Sequence, residues 1–191
     1  AEAEASISHP RERAEILLWK VHRAVDKGEL DHAYELTREL STKFIGEHHP
    51  LEAMGMVAEA YAAQDRLENA RQLIDQMLKQ YPFQDESLAA AISLGERYRE
   101  GEQYQQAIAL FQQLLKNHID SIEVWVQLAN TYQEMEDADK AIEACDTAIA
   151  MFPGHWEVVQ LLSMKGELLQ QQGALEGAIQ AFHAAGEFRG A

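Results

Sequence analysis

The residues that could do chemistry in this chain are a few histidines and a single cysteine. His48 and His49 are adjacent and follow Glu47, a grouping that could bind a divalent cation in a loop. Adjacent residues do not share a helix face, and no His-Glu-x-x-His motif or second cysteine completes a ligand set. We therefore expect exposed loop residues here, with no metal and no cofactor.

Acid–base or nucleophilic catalysis is not indicated either. His22 and Asp26 are four residues apart, a spacing that allows a hydrogen bond on one helix face. No nucleophile stands at a fixed spacing to complete a triad, and no glycine-rich phosphate loop is present. Cys145 cannot form an internal disulfide, and it falls at a core position of its helix, which indicates a buried apolar role. The sequence predicts no catalytic residues.

The elements that carry these residues recur along the chain. Five alanines stand at intervals of 37, 37, 34 and 37 residues, each followed by a largely apolar helical stretch: Ala33, Ala70, Ala107, Ala141 and Ala178. This spacing is typical of an array of helix pairs. Each pair in such an array packs only on its neighbours, so much of the molecule is accessible surface. The pattern favours a binding function over catalysis.

The segment from Ile122 to Pro153 shows the repeat most clearly. At positions 4, 7, 8, 11, 20, 27 and 32 it has Trp125, Leu128, Ala129, Tyr132, Ala141, Ala148 and Pro153. It thereby resembles the 34-residue tetratricopeptide repeat (TPR) family, although Cys145 stands at position 24, where the family usually has an aromatic residue. The same register covers nearly the whole chain, strongly in the three middle repeats and weakly at both ends. The resemblance implies an all-α, TPR-like α-solenoid, a right-handed superhelix of about ten antiparallel helices.

We predict one solenoid domain over residues 1–191, with repeats at approximately 10–47, 48–84, 85–119, 120–154 and 155–188. Turns within the pairs are expected at Gly28, Gly101 and Gly173, and helix caps at Asp65, Asp120 and Asp137. Each 37-residue interval has three residues more than the family consensus. We expect them at the junctions between pairs, where they lengthen a loop or extend the following helix.

Composition narrows the possible partners. Sixteen basic and 32 acidic residues give a formal net charge of -16, which disfavours nucleic acid and anionic lipid surfaces. Apolar content is 47%, yet no apolar run approaches the roughly 20 residues of a membrane helix. We expect a soluble protein, in the cytoplasm or a bacterial periplasm. A start without methionine is compatible with a removed signal peptide, a remnant of cloning or a cut from a longer protein. We expect a fragment of a larger protein, because no capping helix follows the apolar residues of the tenth predicted helix, Ala178, Ile179, Phe182 and Phe188.

The resemblance also implies a binding surface. In the family the concave face is lined by positions 2, 5, 9, 12 and 13 of each first helix. Here every repeat places at least one carboxylate on that face, and Arg99 is its only fixed positive charge. Apolar side chains lie between the acids. The candidate peptide-binding residues are Glu15, Leu18, Trp19, His22, Glu52, Met56, Glu59, Ile92, Glu96, Arg99, Glu123, Val126, Asn130 and Glu167.

Trp19 has two interpretations at this stage. It anchors a ligand if it is exposed, and it belongs to the core if the divergent first repeat has a shifted register. The basic clamp with which some relatives grip the acidic tail of a chaperone is missing, because Leu18, His22, Met56, Ala89 and Ser93 occupy its positions. A chaperone-tail adaptor is therefore disfavoured.

Three hypotheses follow. The first is a protein-interaction scaffold whose acidic groove binds a basic or amphipathic peptide or helix within a multiprotein assembly. The second is a self-assembling repeat protein, a homo-oligomer that stacks through its terminal helix pair. The third and weakest is a metal- or cofactor-dependent enzyme, for which the sequence offers no complete site.

Overall fold

Ten helices and no strand make up residues 9–189, the part of the chain that the computed structural model describes. They are α1 (Pro10–Asp26), α2 (Leu30–Lys43), α3 (His49–Ala63), α4 (Leu67–Gln80), α5 (Asp85–Glu100), α6 (Tyr104–Leu115), α7 (Ile122–Glu134), α8 (Ala138–Met151), α9 (Val158–Gln171) and α10 (Leu175–Arg189). Within pairs, α1 packs against α2, α3 against α4, α7 against α8 and α9 against α10. The prediction of an all-α array of helix pairs is confirmed.

The chain divides into two compact units, Ala1–Leu94 and Gly95–Ala191, and the division falls inside α5. In the first unit α2 packs against α3, and α1 also contacts α3. In the second unit α6 packs against α7, and α8 against α9. These second helices rest on the first helix of the following pair, which is how a repeat array buries apolar surface. The single domain over residues 1–191 stays a prediction.

Close approach within a pair depends on a small residue at position 8 facing a larger one at position 24. A Cβ atom added to Gly95 would lie 2.3 Å from Cζ of Phe111, and one added to Gly166 would lie 2.6 Å from Cε1 of Phe182. Only glycine leaves room for these rings. In two other repeats the same positions hold the buried residues Ala58 with Ile74 and Ala129 with Cys145. Where position 8 has the methyl group of alanine, position 24 thus has a side chain smaller than phenylalanine.

The turns inside the pairs share one conformation. A residue with positive φ recurs at the intervals of the alanines, namely Gly28 (74°), Asp65 (59°), Glu102 (57°), Glu136 (62°) and Gly173 (78°). One prediction was wrong here, because Asp65 occupies the left-handed position and does not cap α4. Gly101 lies in the turn between α5 and α6 as predicted, and the left-handed residue of that turn is the next one, Glu102. A carboxylate side chain in this conformation is strained, which glycine avoids.

The helix caps agree with the sequence in one case of three. Asp137 caps α8, since its Oδ1 accepts a hydrogen bond from the backbone N–H of Lys140 at 3.3 Å. Hydrogen bonding from Lys140 also lowers the pKa of the Asp137 carboxyl. The cap of α7 is Ser121, whose Oγ accepts from the N–H of Val124 at 3.5 Å, so the predicted cap at Asp120 is wrong by one residue.

The added length of the 37-residue repeats lies in helices. Helices α2, α4 and α8 each have 14 residues, whereas α6, in the 34-residue interval, has 12. Among first helices, α3 has 15 residues and α5 has 16, against 13 in α7. The junctions at residues 44–48 and 81–84 are no longer than that at 116–121. The extra residues therefore extend helices on both sides of a junction rather than loops.

Candidate functional site

The predicted groove residues all lie on first helices, and their exposure differs. On the first unit Glu15, Trp19, His22, Glu52 and Glu59 are exposed, and on the second Glu123 and Glu167 are exposed. Leu18, Met56, Glu96, Arg99 and Asn130 are half-buried. Ile92 and Val126 are buried and contribute almost no surface. Binding by this set stays a prediction, and these two residues add least to it.

On the first unit, Trp19 lies beside a hollow on α1. Its side chain is 57% exposed, so of the two interpretations the core one is wrong. The hollow has a volume of about 390 Å³ and is lined by Glu12, Glu15, Ile16 and Trp19. The guanidinium of Arg23 stands 5.3 Å from the centre of the indole ring, a cation–π distance that restricts the ring.

Several charged groups of the first unit pair with one another. Nε2 of His22 lies 3.7 Å from a carboxylate oxygen of Glu52 on α3, so this histidine faces a neighbouring helix. At the α3/α4 turn, Arg66 donates to Asp31 at 2.7 Å and the Tyr61 hydroxyl donates to the same oxygen at 3.2 Å. These bonds, that from Arg66 first, lower the pKa of Asp31. Such pairs position neighbouring helices.

On the second unit, Gln127 holds the polar residues of α5 and α7 together. Its Oε1 accepts from Arg99 at 2.7 Å, and its Nε2 donates to Glu96 at 2.6 Å. Arg99 also forms an ion pair with Glu134 at 3.2 Å. The only cation predicted on the groove is thus neutralised by a neighbour, and its side chain is mostly buried. The exposed carboxylates of Glu123 and Glu167 therefore set the charge of this face.

A hollow of the second unit lies between α7 and α9. Its volume is about 600 Å³, and it is lined by Asn130, Gln133, Trp156, Val159, Gln160, Ser163, Met164 and Glu167. Trp156 is 71% exposed, although it is one of the largest apolar side chains of the protein. Val159 supplies apolar surface, whereas Met164 is 6% exposed and adds little, and Glu167 supplies an exposed carboxylate. The hollow offers an aromatic anchor, an apolar floor and an acidic wall.

The predicted histidine pair and the single cysteine lie in different surroundings. His49 is the first residue of α3 and is half-buried, with Nδ1 3.2 Å from Glu47, so only His48 matches the predicted exposed loop residue. No group of three or more His, Cys, Asp or Glu among the described residues could hold a metal ion. Burial raises the pKa of the Cys145 thiol to about 12, and its Sγ lies 3.6 Å from Sδ of Met164. A thiol in that state is a poor nucleophile.

Sequence reasoning missed two residues of the second unit. Trp156 precedes α9 by two residues and so lies outside the helical positions from which a groove is predicted. The sequence signal for Trp156 is an aromatic residue just before a first helix, in a junction whose turn requires no aromatic side chain. Gln127 stands at position 6, next to the predicted set, and only the structure shows that it binds both Glu96 and Arg99.

The chain has recognisable relatives in sequence and in structure. Models of the tetratricopeptide repeat match residues 21–85 and 98–160, together about two thirds of the chain. A MamA protein is 19% identical, with a TM-score of 0.62 over 92% of this chain and 91% of that one. MamA from Desulfovibrio magneticus RS-1 is 18% identical, with a TM-score of 0.59 over 92% and 94%.

A putative kinesin light chain from Podospora anserina, described as having nearly identical TPR-like repeats, is similar as well. It is 18% identical, with a TM-score of 0.57 over 96% of this chain and 97% of that one. Identities this low establish a common fold and nothing more specific. No curated protein sequence matches the chain significantly. None of the described helices is both long and apolar enough to cross a membrane.

Proposed function

The chain belongs to the tetratricopeptide repeat family, and we propose that it is a protein-interaction scaffold that binds a basic or amphipathic segment of a partner on its acidic first-helix faces. Proteins of this family generally act as scaffolds and lack catalytic activity. That this chain is not an enzyme, and that its ligand is basic, are parts of the proposal.

The observation that supports this proposal is the hollow between α7 and α9. An exposed tryptophan costs solvation free energy unless something covers it, and Trp156 shares its hollow with the half-buried Val159. The amide groups of Asn130 and Gln133 can both donate and accept, as a peptide backbone requires. A lysine or arginine next to an apolar residue in the partner would meet Glu167 and the indole face together.

Binding is tested by fluorescence anisotropy with a labelled helical peptide of lysine and leucine. A peptide with glutamate in place of lysine is the second probe. The lysine peptide is expected to bind and the glutamate peptide is not, because the protein carries a net charge of -16. Raising the salt concentration from about 50 to about 500 mM weakens the binding, since it shortens the Debye length to a few ångströms.

Matched variants separate this hollow from the general charge of the protein. Trp156→Ala should weaken binding roughly tenfold or more, as removal of a hot-spot aromatic does. Ile119→Ala, at another exposed apolar junction residue, is its control. Glu167→Lys should weaken binding, whereas Glu143→Lys changes the charge equally on the exposed surface of α8. Equal effects of the two lysine variants, or full binding by Trp156→Ala, would refute the proposed site.

A further inference from the structure

The Gln127 side chain lies between two opposite charges of α5. Glu96 and Arg99 are three residues apart on this helix, a spacing that favours an ion pair. Gln127 of α7 bonds both of them instead, since its Oε1 accepts from Nη1 of Arg99 at 2.7 Å and its Nε2 donates to Oε1 of Glu96 at 2.6 Å. The ion pair of Arg99 is made with Glu134 of α7, at 3.2 Å. The amide thus separates a carboxylate from a cation of the same helix.

An amide is suited to this place because it is neutral and has both a donor and an acceptor. Its hydrogen bonds satisfy Arg99 and Glu96 without cancelling either charge. The charge of Arg99 is offset by Glu134, whereas Glu96 forms no ion pair with any described residue. Within the described part of the chain, Oε2 of Glu96 accepts no hydrogen bond either. Glu96 therefore keeps both its negative charge and one open oxygen.

The position of Glu96 relates it to the hollow between α7 and α9. Glu96 stands at position 9 of the third repeat, and the same position holds Asn130 in the fourth repeat and Glu167 in the fifth. Asn130 and Glu167 line the hollow that contains Trp156. Equivalent positions of successive first helices lie on one face of a repeat array. A ligand that crosses the hollow from α9 to α7 is therefore directed toward Glu96 on α5.

We propose that Gln127 is a positioning residue of this binding face, which keeps Arg99 away from Glu96 so that Glu96 binds a lysine side chain of the ligand. This role rests on the proposed function and adds a second charged contact to the hollow. A lysine ammonium needs one acceptor oxygen for a hydrogen bond, and Oε2 provides it. Because Glu96 is half-buried, salt screens its charge less than that of an exposed carboxylate.

Replacement of Gln127 by methionine tests the separation itself. Methionine is unbranched like glutamine and has no strong hydrogen-bonding group. The Arg99 side chain is only 15% exposed, so an N–H group that loses Gln127 needs another acceptor. Glu96 loses its donor at the same time and lies within reach on α5. A crystal structure of Gln127→Met is expected to show the Arg99 guanidinium hydrogen-bonded to Glu96. A guanidinium that stays away from Glu96 overturns the proposal.

Anisotropy with the helical lysine and leucine peptide tests the role of Glu96 in binding. Glu96→Gln and Gln127→Met should each weaken binding about fivefold, as loss of a charged hydrogen bond does. In the Gln127→Met protein, Glu96→Gln should cause no further loss, because Arg99 already occupies the carboxylate. Glu143→Gln, which removes an exposed carboxylate of α8, is the charge control. Equal losses from Glu96→Gln in both backgrounds, or a loss no larger than that of the control, overturn the proposal.

Removal of Arg99 should restore binding, which a merely structural role of Gln127 would not allow. The double variant Gln127→Met/Arg99→Met has no cation left to occupy Glu96, so it should bind the peptide at least as well as the wild type. Arg97→Met in the same background removes an equal charge, that of an exposed pair with Glu100, and should leave most of the loss. Equal recovery in the two double variants contradicts the proposed role.

The same samples distinguish failure of this role from failure of the scaffold function. If Trp156→Ala weakens binding and Glu96→Gln does not, only the role of Glu96 and Gln127 is refuted. If the lysine peptide does not bind the wild type, the scaffold function and the contact at Glu96 are both refuted. The structure of Gln127→Met decides in either case whether Gln127 keeps the two charges apart. Gln127→Leu replaces Gln127→Met if thermal unfolding of the latter shows a loss of fold.

Discussion

The α5/α6 and α9/α10 pairs contain the same packing unit in different surroundings. In both, a phenylalanine at position 24 lies against a glycine at position 8, with an added Cβ only 2.3 Å from Phe111 and 2.6 Å from Phe182. Phe111 is fully buried because α7 packs against α6, whereas Phe182 is 40% exposed. The tight fit inside a pair is thus independent of the next pair, and burial of the outer face is not.

The difference separates two sources of stability in a repeat protein. Intrinsic terms such as the fit of Gly95 to Phe111 belong to one pair, and interface terms such as the cover over Ile108 belong to two neighbours. Among the described residues, the last pair has the intrinsic contact within the pair and lacks the interface contact with a following pair. Variants at equivalent positions of α6 and α10 therefore measure the two contributions separately.

The largest contrast is expected in thiol accessibility. Ile108→Cys and Ile179→Cys place a thiol at position 21 of the covered and of the uncovered pair. The thiol at 179 should react with a disulfide reagent at pH 8 as an exposed cysteine does, and that at 108 roughly a thousandfold more slowly, because α6 must open first. Mass spectrometry of the labelled protein gives both rates. Cys145, with its pKa of about 12, should stay unmodified in each variant.

Gly95→Ala should cost about 2–3 kcal/mol of unfolding free energy, as overpacking of a closed core does. The new methyl group meets the Phe111 ring, which has no open space in which to move. Urea denaturation measures the loss. Adding Phe111→Ile restores part of it, because the second repeat already pairs Ala58 with Ile74. A double variant no more stable than Gly95→Ala alone would contradict this account of the pairing.

Gly166→Ala should cost less, about 1 kcal/mol or below. The same clash arises, but the Phe182 ring can rotate toward solvent, and alanine gains helix propensity over glycine. Urea denaturation again provides the measurement. A loss as large as that of Gly95→Ala would show that the Phe182 ring is held in place despite its exposure.

The smallest effect concerns the turns of the same two pairs. Glu102, at φ 57°, occupies the left-handed position that Gly173 occupies in the last pair. Glu102→Gly should stabilise the protein by about 0.5 kcal/mol, since relief of backbone strain exceeds the added freedom of the unfolded chain. Gly173→Glu should destabilise it by about 1 kcal/mol. Thermal unfolding of the two variants checks the opposite signs, and equal signs would refute the assignment.

Much of the fold could be predicted from the spacing of small residues. Ala107 and Ala141 fix the register, and the register places Gly95 and Gly166 where each pair is narrowest. The turns were harder, because only Gly28 and Gly173 have the residue type that favours positive φ. Asp65, Glu102 and Glu136 adopt the same conformation although none of them is glycine. Their common interval with Gly28 was the usable signal.

The sequence predicts the charge of the candidate site better than it predicts which of its side chains are exposed. Register indicates which side chains lie on a first-helix face, and Glu59, Glu123 and Glu167 are exposed as a groove requires. It does not show how closely neighbouring helices approach. Gln127 reaches both Glu96 and Arg99 of α5, and the adjacent Val126 is buried. Burial of this kind depends on tertiary distance, which no local pattern contains.

The contact between Gly95 and Phe111 also limits the order in which mutations can accumulate. A lineage that exchanges this pair for alanine and isoleucine, the pair at Ala58 and Ile74, changes one codon at a time. The alanine first creates a clash with a buried ring, whereas the isoleucine first leaves a cavity, which a core tolerates at moderate cost. The order in which Phe111→Ile comes before Gly95→Ala is therefore the less destabilising one. Phe182, beside open solvent, leaves Gly166 free to change in either order.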